Sequence, residues 1–282
     1  MPLVSIAKEL IRAKDEKYAL PLFDTFDINS ADGMFMAFEE KHAPGIIGLY
    51  TSALDRPNAR AYAAYIRTRA EESSVPISLM LDHGSSIEHC IKAISFGYTD
   101  VMYDGSKLPL EENIKNTRSV VQAARAAGVC VEAELGQVGS AREYQSFGAK
   151  RKGFTDPDTV EKFVKETDVD YLAIAIGTAH GIYDGDPHLD LDLLKEIREC
   201  VDIPLVLHGG TGCSDDQFRE VIKAGISKIN IATDLFVTAG KRLIEAAKAD
   251  NASYFSICRE AVESFHKRCL HYIDVFGAAD KA

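Results

Sequence analysis

The sequence lacks several features that would at once assign it to a class of protein. Its 282 residues include six cysteines but no CxxC pair, which argues against a disulfide framework. No run of about 18 apolar residues occurs, which excludes a transmembrane helix of the usual kind. The chain also has no basic start followed by an apolar run, so we predict no secretory signal and a cytoplasmic protein.

Basic residues are scarce relative to acidic ones. The chain has 32 Lys+Arg against 43 Asp+Glu, for a formal net charge of -11. Nucleic acids and anionic membranes are bound by clustered Lys and Arg, so we expect neither as a partner. A small anionic substrate remains compatible with this charge, because backbone N–H groups can hold a phosphate.

Short apolar runs alternate with longer amphipathic segments along the chain. Eight such strand-then-helix units predict an α/β protein, a closed (β/α)8 TIM barrel. A doubly wound sheet would want a GxGxxG turn after the first strand, and none is present there. We expect one domain over residues 1–282, with an extra helix at each end and C-terminal helical sequence at about 254–275. The predicted strands are 18–23, 45–49, 77–81, 100–103, 129–134, 171–176, 204–207 and 227–231.

Three histidines follow predicted strands, and each is itself followed by glycine. His83 follows the third strand, His180 the sixth and His208 the seventh. The carboxyl ends of barrel strands share one mouth, so these side chains are expected to converge. One histidine after a strand is more often a hydrogen-bonded structural residue. Three of them that leave a fourth position open are typical of a catalytic zinc site.

Acidic residues also stand at strand ends. Asp82 precedes His83, Asp104 closes the fourth strand, and Glu132 and Glu134 lie two apart in the fifth. Spacing of two places both glutamates on one face of the strand. On an outward face they would be an ordinary solvated pair, whereas inside a barrel they need a cation or hydrogen-bond donors. We therefore predict a role near the metal.

Small residues and threonines follow the last two strands. The turn after the seventh strand reads HGGTG at 208–212, and the eighth strand leads through NIATD at 230–234 into a helix. Loops after strands seven and eight, with a helix N-terminus, form the usual phosphate site of this barrel. The position of these turns, more than their composition, predicts a phosphate-binding site.

Taken in order, these motifs resemble the class II, zinc-dependent ketose-bisphosphate aldolases, and the branch of the tagatose- and fructose-bisphosphate aldolases is nearest. The similarity runs from about residue 5 to residue 277. The matching segments are LMLDHG at 79–84, VMYDGS at 101–106, VEAELG at 131–136, AIGTAHG at 175–181, PLVLHGGTG at 204–212 and KINIATD at 228–234.

The resemblance implies a role for each matching residue. One catalytic Zn²⁺ would be held by His83, His180 and His208, with Glu134 and Asp104 near an alternative metal position and Glu132 in support. Asp82 would act as the acid/base at the C4 hydroxyl. A Na⁺ or K⁺ ion is expected beside the dihydroxyacetone phosphate site. That site would be formed by Gly181, Gly209, Thr211, Asn230 and Thr233.

The segment 136–153 departs from the family pattern. Its length and polarity predict a mobile active-site loop. Arg142 stands where the family has the glutamate that acts at C3, and Glu143 is one residue along. We predict Glu143 as the replacement, with the Tyr144 hydroxyl as the alternative, and Arg142 as a partner for an anionic far end of the sugar. Asp27 and Tyr50 occupy positions that the family usually gives to Asn and Ser near the substrate.

The sequence thus predicts an aldehyde-lyase that reversibly cleaves a ketose 1,6-bisphosphate, of the fructose or tagatose type, to dihydroxyacetone phosphate and an aldehyde. One alternative is the same reaction on another ketose 1-phosphate, such as a sugar acid. Another is a non-catalytic sugar-phosphate sensor. The resemblance implies a homodimer or homotetramer whose partner is a small-molecule sugar phosphate.

Overall fold

Eight parallel strands pair in chain order, and the first closes on the last to form a barrel. The structure is a computed structural model that describes residues 2–139, 153–182 and 187–282. The predicted (β/α)8 barrel is confirmed. The strands are β1 Leu20–Asp24, β2 Gly45–Tyr50, β3 Ile77–Gly84, β4 Asp100–Tyr103, β5 Cys130–Leu135, β6 Tyr171–Ile174, β7 Leu205–Leu207 and β8 Ile226–Ile231.

Helices follow the strands, and further helices stand at both ends of the chain, as expected. Helix α1 precedes the barrel, and α10 follows it and packs on α2 and α9. The α-helices in the described part of the chain are α1 Ala7–Glu16, α2 Ile28–Glu40, α3 Ala59–Glu72, α4 Ile87–Ser95, α5 Leu110–Ala126, α6 Pro157–Thr167, α7 Leu191–Cys200, α8 Asp215–Ala224, α9 Thr233–Ala247 and α10 Tyr254–Val275, and a short 3-10 helix spans Thr51–Asp55.

Capping side chains fix where several helices begin. Asp27 accepts a hydrogen bond from the Ser30 backbone N–H at the start of α2, and the Ser30 hydroxyl accepts one from the Asp27 N–H. Ser214 and Gln217 form the same reciprocal pair at the start of α8. Such capping boxes satisfy backbone donors that a helix leaves free. The structure therefore gives Asp27 a capping role at the start of α2.

A buried carboxylate ties the N-terminal segment to the lower end of the barrel. Asp100, at the start of β4, accepts hydrogen bonds from Ser5 Oγ at 3.0 Å, Ser78 Oγ at 2.7 Å and Tyr171 OH at 3.1 Å. It also accepts from the backbone N–H of Ile6. This network lies at the amino ends of β3, β4 and β6, opposite the carboxyl ends at which the active sites of such barrels form.

In the described residues, we find no helix with the length and apolar character that a membrane crossing requires.

Candidate active site

The end of β3 presents two neighbouring side chains to the barrel mouth. In a regular strand, Asp82 and His83 would point to opposite faces. Here the pairing of β3 with β4 is irregular between Leu81 and Gly84, and His83 has a positive φ of 51°. A bulge of this kind re-aims side chains. Both residues consequently line the same pocket.

The three histidines converge as predicted by their strand-end positions. Nitrogen atoms of His83, His180 and His208 all lie within 4.8 Å of one another. The ring centroids of His83 and His208 are 4.6 Å apart, and those of His83 and His180 are 4.8 Å apart. His208 is completely buried, whereas His180 is exposed at the mouth. The cluster is therefore open on one side.

Carboxylates fix the orientation of two of these rings. His83 Nδ1 lies 3.0 Å from Asp104 Oδ2, and His208 Nε2 lies 2.6 Å from Glu132 Oε1. A carboxylate accepts, so each of these nitrogens carries a proton. The remaining nitrogens, His83 Nε2 and His208 Nδ1, face each other at 2.9 Å. Two imidazole nitrogens this close call for a proton or a metal ion between them.

The surrounding charge also favours a cation. Asp82, Asp104 and Glu134 raise the pKa of His83 to about 10, even though burial of the ring acts to lower it. Burial and the neighbouring His83 lower the pKa of His208 well below its ordinary value, which keeps that ring neutral. The negative charge around the cluster thus draws a positive charge to the His83 ring, which either a proton or a metal ion can supply. The donor set, neutral imidazoles backed by carboxylates, fits Zn²⁺.

A second set of possible ligands adjoins the first. His83, Asp104 and Glu134 offer ligand atoms within 4.8 Å of one another. Burial, and then the charge of Asp104, raise the pKa of Glu134 to about 8. Glu134 Oε1 accepts a hydrogen bond from the Val138 N–H, while Oε2 has no hydrogen-bond partner among the described residues. The geometry brings Glu134 beside the histidine cluster, as the sequence predicts.

Glycines and a helix N-terminus form the inner part of the pocket. Gly181 and Gly209 have φ values of 106° and 68°, and a Cβ on Gly209 would lie 2.5 Å from the Ala179 carbonyl oxygen. Helix α9 begins at Thr233 after Ala232, which offers no capping oxygen. The inner lining comprises Gly181, His208, Gly209, Gly210, Thr211, Asn230, Ala232 and Thr233, together with Asp24, Asp82, His83 and His180. All five predicted phosphate-site residues therefore meet here.

The outer part of the pocket is larger and more polar at its rim. It encloses about 590 Å³ and extends from the histidines to Tyr50, Ser106, Lys107 and Gln137. Tyr50 is 42% exposed, with its ring centroid 5.9 Å from that of His83. Lys107 is the one lysine or arginine in the lining that the structure describes. Arg142 and Glu143, predicted from the loop, fall within 140–152, outside the described residues.

Two buried site residues were missed by the sequence reasoning. Asp24, at the end of β1, is 4% exposed and lines both parts of the pocket. Lys228, on β8, is completely buried and contacts Glu132 and Asn230. Lys228 stands two positions before Asn230, so the alternation rule that grouped the two glutamates would have placed it inside as well.

Comparison with known proteins gives consistent results over the whole chain. Residues 4–281 match the family described as "Fructose-bisphosphate aldolase class-II". The probable fructose-bisphosphate aldolase of Bacillus subtilis (strain 168) is 37% identical over 290 residues, which cover 100% of both chains. The crystal structure of the YdjI aldolase from Escherichia coli K12 matches with a TM-score of 0.89 and 32% identity over 99% of each chain. A putative fructose-1,6-biphosphate aldolase from Coccidioides immitis gives 0.85 and 26%, over 97% of this chain and 96% of that one.

Proposed function

The chain belongs to the class II fructose-bisphosphate aldolase family and is thus a carbon–carbon lyase. We propose that it is a zinc enzyme. Its substrate would be a ketose 1,6-bisphosphate of the fructose or tagatose type. The products would be dihydroxyacetone phosphate and an aldehyde, in a reversible reaction.

The observation that carries this proposal is the pair of imidazole nitrogens that face each other. His83 Nε2 and His208 Nδ1 are 2.9 Å apart, and each ring is held from behind by a carboxylate. We assign both rings, together with His180, as ligands of one zinc ion. A zinc ion in this place would supply Lewis-acid stabilisation of the negative charge left when the C3–C4 bond breaks.

Asp82 is proposed as the acid/base at the C4 hydroxyl. Its side chain is 3% exposed, and its Oδ1 accepts a hydrogen bond from Asn230 Nδ2 at 2.8 Å. This bond fixes the carboxylate beside the histidine cluster, where a sugar hydroxyl would lie. Glu143 remains our proposal for the group that acts at C3.

The inner pocket suits a phosphate dianion. The α9 N-terminus has no side-chain cap, and Thr211 Oγ1 accepts a hydrogen bond from the Asp234 N–H at 3.2 Å, which ties the two turns together. The first-turn N–H groups that have no capping partner and the helix dipole favour an anion at such a position. We propose that the C1 phosphate binds here, with a Na⁺ or K⁺ ion beside it.

The outer pocket favours a substrate with a second anionic group. Lys107 is exposed on the β4–α5 connection, and the described residues give it no ion-pair partner. Its connection is held by Asp104, which accepts hydrogen bonds from both the N–H and the hydroxyl of Ser106. A 6-phosphate fits this cation, and so does the carboxylate of a sugar acid, the alternative substrate.

A panel of ketose 1-phosphates tests the reaction and the substrate together. Dihydroxyacetone phosphate release should fall on chelation, return with zinc, and be greatest for substrates with an anionic tail. Lys107→Met and Arg142→Ala should each raise KM for those substrates more than for a neutral-tailed 1-phosphate, with Lys115→Met as the surface control. Activity indifferent to chelator would refute the zinc mechanism. Zinc-loaded protein that binds dihydroxyacetone phosphate without exchanging its C3 proton would instead identify a sensor.

A further inference from the structure

We propose that Lys228 is a positioning residue that couples the acid/base Asp82 to the metal ligand His208. The inference rests on the proposed function and adds to it a residue that touches neither the metal nor the substrate. Lys228 lies on β8 and is completely buried. The described linings of the inner and outer pocket do not include it.

The Lys228 ammonium group is satisfied by two side chains of the site. Its Nζ lies 2.9 Å from Glu132 Oε2 and donates to Asn230 Oδ1 at 2.6 Å. A buried ammonium is retained only where partners offset its loss of hydration. An amine engaged in this way has no free lone pair for a Schiff base. The contacts, and its place outside the pocket lining, indicate an electrostatic role inside the barrel.

The first contact of Lys228 controls the metal ligand. Glu132 uses its other oxygen, Oε1, to accept the hydrogen bond from His208 Nε2 at 2.6 Å. The ammonium neutralises Glu132, so the carboxylate orients the imidazole without placing an unbalanced buried charge behind it. His208 Nδ1 is consequently presented to the metal position as a lone pair. Mutation of a residue that hydrogen-bonds to a metal-bound histidine commonly lowers metal affinity by about 10- to 100-fold.

The second contact controls the acid/base. An asparagine amide has an acceptor side and a donor side, and the neighbouring groups decide which way it points. Lys228 donates to Asn230 Oδ1, which turns Nδ2 toward Asp82 Oδ1 at 2.8 Å. One ammonium group therefore sets the amide orientation that holds Asp82, and it also balances the carboxylate that holds His208.

A double-variant experiment separates the two contacts. Lys228→Met, Glu132→Gln and the combined variant are compared with wild type, and Lys223→Met on the exposed face of α8 is the lysine control. Zinc Kd is measured by competition with a chromogenic chelator, and kcat is measured at saturating zinc. Lys228→Met should weaken zinc binding and lower kcat, each by about 10-fold or more.

The combined variant gives the decisive result. The glutamine that replaces Glu132 would still accept from His208 Nε2 but would no longer need a counter-charge, so zinc affinity should return to that of Glu132→Gln. Asn230 would still lack its donor, so kcat should stay about 10-fold lower than in Glu132→Gln. Because its buried pair is neutral, this variant also serves if Lys228→Met does not fold.

Other outcomes refute the inference in distinguishable ways. If zinc Kd, kcat and the melting temperature of the combined variant all return together to the values of Glu132→Gln, Lys228 only stabilises the fold. Unchanged values in Lys228→Met would overturn both contacts. Wild-type protein that neither binds zinc nor cleaves a ketose phosphate would refute the proposed function itself, and this inference with it.

Discussion

Asp24 introduces a second carboxyl group beside the proposed acid/base. It is 4% exposed, and its Oδ1 has no hydrogen-bond partner among the described residues. Burial raises the pKa of Asp24 well above its ordinary value, and the negative charge of Asp82 and a hydrogen bond with it raise the pKa further. Two adjacent carboxyl groups cannot both ionise cheaply, so Asp24 is the one that keeps a proton.

Replacing Asp24 by asparagine should stabilise the zinc-free protein at pH 8. Folding raises the pKa of Asp24. At a pH above the pKa that Asp24 has in the unfolded chain, folding therefore requires the uptake of a proton, and the free-energy cost of this uptake increases as the pH rises. The amide of an asparagine in its place has no such requirement. We expect a gain of about 1 kcal/mol at pH 8 that shrinks toward pH 5.

Thermal melts in chelator at the two pH values measure this effect. Asp27→Asn is the matched control, because asparagine caps a helix as well as aspartate does. A gain that is equal at pH 5 and pH 8 would contradict the raised pKa of Asp24.

Alternation along the strands explains how much of the site the sequence could predict. A spacing of two placed Glu132 and Glu134 on one face, and both are buried inside the barrel. The same rule holds for Lys228 and Asn230 on β8. The place of Lys228 in the site was nevertheless missed, because the sequence does not show whether a lysine is solvated or is paired with a buried carboxylate. Its partner Glu132 lies 96 positions away and becomes its neighbour only when the barrel closes.

The end of β3 shows what alternation does not predict. Asp82 and His83 are adjacent, and they reach one pocket because the strand is irregular there. No periodic pattern signals that bulge. Glycine is required at this irregularity, because a Cβ on Gly84 would lie 2.4 Å from the Met102 carbonyl oxygen on β4.

Gly84→Ala should therefore damage the metal site. The added methyl group would push β3 away from β4 and turn His83 from its partners, at a cost of about 1–3 kcal/mol. Urea unfolding and zinc Kd should both worsen. Gly240→Ala on α9 is the control, since a Cβ there meets nothing within 4 Å and alanine favours a helix. Unimpaired zinc binding in Gly84→Ala would show that the close approach does not position His83.

At the scale of the molecule, eight strand-then-helix units and the lack of a GxGxxG turn after the first strand predicted a closed barrel, and the strands do close. The connection between β5 and α6 was beyond the same reasoning, since it has no period and Arg142 breaks the family motif. The barrel predicts where its strand ends meet. It does not predict the conformation of a long connection between them.

Zinc should stabilise the whole barrel, because its proposed ligands come from β3 and from the segments that follow β6 and β7. A ligand that binds only the folded state adds about 2.7 kcal/mol when its free concentration is 100 times its Kd. For a chain of this size, that corresponds to a rise in Tm of about 5 °C or more.

Calorimetry of chelated and zinc-loaded protein measures this shift, and two controls define its origin. Magnesium prefers oxygen ligands and should have little effect on a histidine site. His180→Ala leaves the buried pair of His83 and His208 intact and removes one proposed ligand, so most of the zinc shift should disappear while the Tm of the zinc-free protein stays close to that of wild type. An equal zinc shift in His180→Ala would assign the ion to His83, Asp104 and Glu134, the second group of possible ligands.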